Sequence, residues 1–199
     1  MSDRFSKFVA QFPGVSALLP LSHTADGHVF SSIMTRPLLN RSHRSEYNED
    51  LVFAYYGRPS YRVNPDAESN GLIALHPVCI LFGPGTKAQV RRVVAFDSGA
   101  CENGIFSNAL HPTMAKEHFE VGEDISAISR LVECFYKNNE NYLAQIGVLP
   151  NLPPTEMEAA SYAALIANQT QAAYDDRARS LTHNRRIRMR AEASWAMAR

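Results

Sequence analysis

PLSHTADGHVFSSIMTRPLLN, residues 20–40, reads as a strand end handed directly to a helix. Val29, Phe30, Ile33 and Met34 fall at the spacing of one helical face. Asp26 stands where a carboxylate takes up the free amides of a first turn, and Pro37 follows as a stop, so a short helix is predicted over His28 to Arg36. His23 and Thr24 then sit immediately in front of that helix. Beyond it, NRSHRSEYNED (40–50) is polar and aperiodic, whereas LVFAYY (51–56) is a β-branched and aromatic run ending at Gly57 and Pro59, a strand into a turn.

Further along, GLIALHPVCILFGPG (71–85) has the apolar content of a buried strand broken at Pro77 and closed by a turn. VRRVVAFDSGA (90–100) is a second strand, delivering Asp97, Ser98 and Gly99 to its end. From Glu123 to Tyr142 the residues Ile125, Ile128, Leu131, Val132 and Phe135 recur at three and four, predicting an amphipathic helix. After LPNLPP, Thr155 and Glu158 have the spacing of a capping box before a helix reaching at least Gln169. Strands first and helices later make an α+β chain: small central sheets with helices and a mainly helical C-terminal part. Residues 1–150 form the mixed core domain in this reading, and 151–199 a helical segment with an arginine-rich tail packed on it.

With 45% hydrophobic and 20% charged residues in 199, the composition is that of a chain able to build a core. Formal net charge is zero, so no global field favours nucleic acid or an anionic membrane. Positive charge gathers only after Tyr174, where seven arginines face Asp175, Asp176 and Glu192. That run reads as a solvated helix ahead of a nucleic-acid contact. Cys79, Cys101 and Cys134 are odd in number and lack a CxxC pair, which points away from a disulfide framework and towards a reducing cytoplasm. Neither a signal peptide nor a run of roughly 18 to 20 apolar residues is present, so no membrane partner is expected.

His23 and Thr24 before a helix, followed by the strand LVFAYYGRP, resemble the opening of ADP-ribosyltransferase domains, especially the group that includes DNA ADP-ribosyltransferase toxins. The resemblance covers about the first 65 residues. It implies two small packed sheets, NAD as co-substrate, and transfer of ADP-ribose to a nucleophile on a nucleic acid or protein. His23 would bond ribose beside Thr24, and Tyr55 or Tyr56 would stack on nicotinamide. In the family a catalytic carboxylate lies on a late strand. Here the chain beyond Glu123 reads as helix, which leaves Glu117 and Glu120 as the nearest acids, with Glu120 taken as the candidate.

The residue types suit that chemistry independently. Breaking the nicotinamide–ribose bond develops positive charge on the sugar, so a site needs an aromatic face, a partner for ribose and a carboxylate. Strand alternation sends neighbouring tyrosines to opposite faces, so one of the 55–56 pair serves. Arg58 and Arg62, around Pro59 and Tyr61, have the planar forks that clamp pyrophosphate or carboxylate, or else tie their loop to an acid such as Asp97. Asp97 and Ser98 in FDSGA form a substrate-lining or structural turn.

Two other readings compete. In one, the YYGRPSYR and FDSGA turns serve a noncatalytic binding or assembly module. In the other, Cys101 with His111 as its base makes a cysteine-dependent hydrolase. No HExxH or comparable pair occurs, and His111 with His118 is a spacing that would need both residues on one helix face, so no metal is expected.

Overall fold

A computed structural model describes residues 3–36, 39–60, 72–83 and 90–168. Tyr61, Arg62, Gln169 and the arginine-rich tail lie outside the described residues. The fold is α+β. Helix α1 (Arg4–Val9) precedes strand β1 (Leu21–Asp26), which runs without a break into α2 (Gly27–Thr35). Strands β2 (Ser42–Arg44) and β3 (Glu49–Leu51) form a hairpin, followed by β4 (Tyr55–Tyr56) and β5 (Pro77–Phe82). Then come β6 (Val93–Val94), α3 (Ser98–Glu102), β7 (Glu120–Gly122), α4 (Ile125–Tyr136), α5 (Asn139–Ala144) and a helix over 157–168. The strands make three small antiparallel sheets, β4-β1-β5, β2-β3 and β6-β7.

Local chemistry explains most of these boundaries. Asp26 caps α2 as its position predicts, its Oδ1 accepting from the Val29 amide at 2.8 Å. Asp97 and Asp124 cap α3 and α4 in the same way. The single helix expected over 123–142 is two, because Lys137 turns the chain at φ 71° and Asn138 starts α5 by accepting from the Asn141 amide. The last helix begins two residues after Thr155, and its first backbone bond runs from Ala160 to the Glu156 carbonyl.

The strands depart further from expectation. LVFAYY is not one strand: β3 ends at Leu51 and β4 begins at Tyr55. Between them the Phe53 carbonyl accepts from a histidine side chain instead of a strand neighbour. Pro77 opens β5 rather than breaking it, a position where a missing N–H removes no ladder bond. β5 is also not buried, with Leu81 65% exposed.

The core lies among α1, β7, α4 and the 157–168 helix. Phe5 is at its centre, with ring centroids 5.4 Å from Phe119, 6.1 Å from Phe135 and 5.6 Å from Tyr162. Ala159, Tyr162, Ala163, Leu165 and Ile166 join the same cluster, so the last described helix shares the core of the first. Helix α2, by contrast, buries none of its residues. One side of the molecule is therefore packed, and the β1–α2 side is left to border a cleft.

Phe5→Ala removes a fully buried ring touching three others and is expected to cost about 3–5 kcal/mol. Urea unfolding followed by circular dichroism measures it, and a loss below about 1 kcal/mol would place the core elsewhere.

Candidate functional site

Strand β1 has β5 along its whole length, from Leu21↔Phe82 to Asp26↔Pro77. On its other side β4 pairs only at Leu21↔Tyr56 and Ser22↔Tyr55. From His23 onward that edge has no strand neighbour among the described residues, and side chains take over. His23 Nδ1 donates to the Phe53 carbonyl at 2.7 Å, and Thr24 Oγ1 donates to the Ser60 carbonyl at 2.7 Å. A cleft of about 1010 Å³ lies there, bordered by β1, α2, the β2–β3 hairpin and the segment from Leu51 to Tyr55. That is at the upper end of volumes typical of small-molecule sites.

A carbonyl has no proton to give, so His23 carries a hydrogen on Nδ1, and in the ring's neutral form Nε2 is left as an acceptor. Thr24 likewise spends its proton on Ser60 and retains oxygen lone pairs. Both residues border the cleft with acceptor capacity for a ligand's hydroxyl or amide hydrogens.

The two tyrosines separate as alternation requires. Tyr55 borders the cleft, and its hydroxyl donates to Asp97 Oδ2 at 2.9 Å. Asp97 Oδ1 meanwhile accepts from the Ala100 amide at 3.1 Å, so one carboxylate both caps α3 and holds Tyr55. Tyr56 is 5% exposed; its hydroxyl accepts from the Leu19 amide, and its carbonyl accepts from the Tyr142 hydroxyl. Burial raises the Tyr56 hydroxyl's pKa. Gly57 completes the turn at φ 67°, where an added Cβ would come within 2.5 Å of the Leu19 side chain.

Arg58 does not border the cleft. Its guanidinium donates to the Gln145 amide oxygen at 2.6 and 2.8 Å once that amide faces it. Ser98 is buried at the start of α3, beside Tyr47. Glu120 pairs with Arg92 at 3.2 Å, and Arg92 reaches Glu49 at 2.6 Å. These hydrogen bonds and charges hold Glu49 below the usual carboxylate range and raise Arg92. The Arg92 guanidinium and the Lys116 ammonium each lie 5.1 Å from the Tyr47 ring centroid. Lys116 is nearly buried between Glu102 and Glu117; desolvation lowers its pKa, and the two ion pairs more than reverse that. This charge cluster pins the hairpin to β6 and β7 through Tyr47, whose ring meets the edge of Phe53 at 6.3 Å. Glu120 thus belongs to the cluster behind the cleft and does not border the cleft itself.

Three residues that matter went unread in the sequence: Tyr47, Phe53 and Arg44. Arg44 borders the cleft with its guanidinium 4.7 Å from the Phe53 centroid. Asn48, in the left-handed region at φ 52°, is the turn residue that marks the hairpin, and it was the available signal. Cys101 and His111 are not joined by any hydrogen bond among the described residues; His111 Nδ1 engages Thr113 instead. Nor is any group of three His, Cys, Asp or Glu placed to hold a metal among the described residues. No helix among them is long and apolar enough to cross a membrane.

No protein-family model, curated protein or solved structure matches the chain.

Desolvation first, and then Glu102, raises the Cys101 thiol, while burial pushes Cys134 up to about 12. A raised thiol is mostly protonated at neutral pH, so alkylation should be slow at pH 7 and accelerate only above the ordinary thiol pKa of about 8.5. Peptide-resolved iodoacetamide labelling across pH 6–10 checks this. Fast labelling of Cys101 at pH 7 would restore a nucleophilic role.

Proposed function

We propose that the cleft holds NAD and that the protein transfers ADP-ribose from it to a macromolecular acceptor, a nucleic acid or a protein. The convergence of His23, Thr24 and Tyr55 on one cleft of about 1010 Å³ supports this reading. Two separate stretches of sequence meet there through the His23–Phe53 bond.

Each group then has a task set by its bonding. His23 Nε2 accepts from a ribose hydroxyl, and Thr24 Oγ1 accepts from a second hydroxyl or from the carboxamide. Tyr55, its hydroxyl anchored by Asp97, offers its ring to nicotinamide. As the glycosidic bond lengthens, positive charge grows on the ribose and needs a negative group within a low-dielectric site. Asp26 borders the cleft, and among the described residues only its Oδ1 is engaged, by the Val29 amide. We assign it the role that the sequence had offered to Glu120, whose carboxylate is engaged by Arg92. The described cysteines are unpaired, which fits a reducing compartment such as the cytoplasm.

Two observations favour a second reading: Asp26 also serves as a helix cap, and no glutamate of the described residues borders the cleft. In that reading the cleft binds NAD without turnover.

Incubation with NAD labelled in its adenylate moiety, against single-stranded DNA, RNA and protein acceptors, decides between them. Transfer is expected, with His23→Ala and Asp26→Asn each lowering it about 100-fold. NAD bound but left intact would favour the second reading, and no NAD binding at all would overturn both. Loss of transfer in Glu120→Gln but not in Asp26→Asn would return the carboxylate role to Glu120.

A further inference from the structure

We infer that Arg44 is an anion-binding residue of the cleft and that its partner is the diphosphate of a small ligand. Arg44 is half-buried and borders the cleft, yet among the described residues it makes no ion pair and its buried Nε has no hydrogen-bond partner. A buried guanidinium donor left unpaired is costly and calls for an explanation. The obvious neutralising group is absent for a specific reason. Glu49 stands directly opposite Arg44 in the β2–β3 register, the position where opposite charges normally pair. Its carboxylate goes instead to Arg92 at 2.6 Å. One step along the same ladder, His43 faces Asp50 with Nδ1 3.4 Å from Oδ1, so the hairpin matches that pair and leaves Arg44 over.

Arg44 is also held in place. Its guanidinium lies 4.7 Å from the Phe53 ring centroid, which restrains the plane of the fork. The same Phe53 uses its carbonyl to hold His23. One residue therefore sets both the acceptor that would meet ribose and the cation that would meet phosphate. An Arg fork matches phosphoryl oxygens in pairs, and this one faces a cleft with room for a dinucleotide. The role foreseen for Arg58 and Arg62 thus falls to a residue of the hairpin, since Arg58 is taken by Gln145.

This inference rests on the NAD reading for the identity of the ligand, and the experiment separates the two. Calorimetric titration of the full chain with inorganic pyrophosphate, NAD and a single-stranded oligonucleotide is compared for wild type, Arg44→Gln, Arg44→Lys and Arg41→Gln, an exposed control. Pyrophosphate and NAD should each bind wild type and Arg41→Gln alike, and lose about tenfold or more in Arg44→Gln, with Arg44→Lys between. Pyrophosphate binding equal in wild type and Arg44→Gln overturns the inference, as does a loss confined to the oligonucleotide. Pyrophosphate dependence on Arg44 without ADP-ribose transfer keeps the anion site and removes the transferase. Transfer by wild type with no Arg44 dependence does the reverse. Should Arg44→Gln fail to fold, the wild-type Arg44 Nε–Hε resonance gives the answer: a shift on adding pyrophosphate supports the site, and an unmoved resonance overturns it.

Discussion

A single side-chain bond, from His23 Nδ1 to the Phe53 carbonyl at 2.7 Å, governs this side of the molecule. It occurs where β4 stops pairing with β1, and it occupies a backbone acceptor that a continuing strand would have used. Because it ties Phe53 to β1 through an imidazole rather than a ladder, the chain is held beside the strand but spaced from it. The same bond fixes the histidine's tautomer. Shape and chemistry of the cleft thus have one origin.

The surroundings make that arrangement durable. Tyr56 and Gly57 lock the far end of β4 to the chain before β1, through Leu19 and Pro20. Tyr55 is held through Asp97 to the start of α3. The hairpin carrying Arg44 is pinned by Arg92 and Lys116 around Tyr47, and Tyr47 in turn abuts Phe53. Burial of these charges is compensated locally: Arg92 has two carboxylates and Lys116 has two. Arg44 has none among the described residues and keeps a buried Nε without a partner there, which sets it apart from the paired cations of the hairpin's surroundings. The aromatic core around Phe5 lies on the other side of this framework, where rigidity can be supplied without closing the cleft.

What was legible in the sequence was local. Asp26 and the spacing of Val29 to Met34 specified α2 within a residue at each end, because capping and periodicity act over a few positions. Alternation over Tyr55 and Tyr56 foretold that one would leave the core. The break in LVFAYY was invisible, since its cause is a side chain 30 residues earlier. Arg44 was equally hidden in a polar stretch, for its status depends on Glu49 being claimed by Arg92, 43 residues beyond Glu49. Arg58 and Glu120 looked like site residues because their types and neighbours suit one. Long-range partners, Gln145 and Arg92, decided otherwise.

The proposed chemistry of the cleft rests most directly on the state of one imidazole. Nitrogen-15 NMR of the His23 ring at neutral pH, with and without saturating NAD, reads it. A proton on Nδ1 and a shift of the Nε2 resonance when NAD is added are the expected results. A ring protonated on Nε2 with Nδ1 bare, or an Nε2 resonance that NAD leaves unmoved, would contradict it.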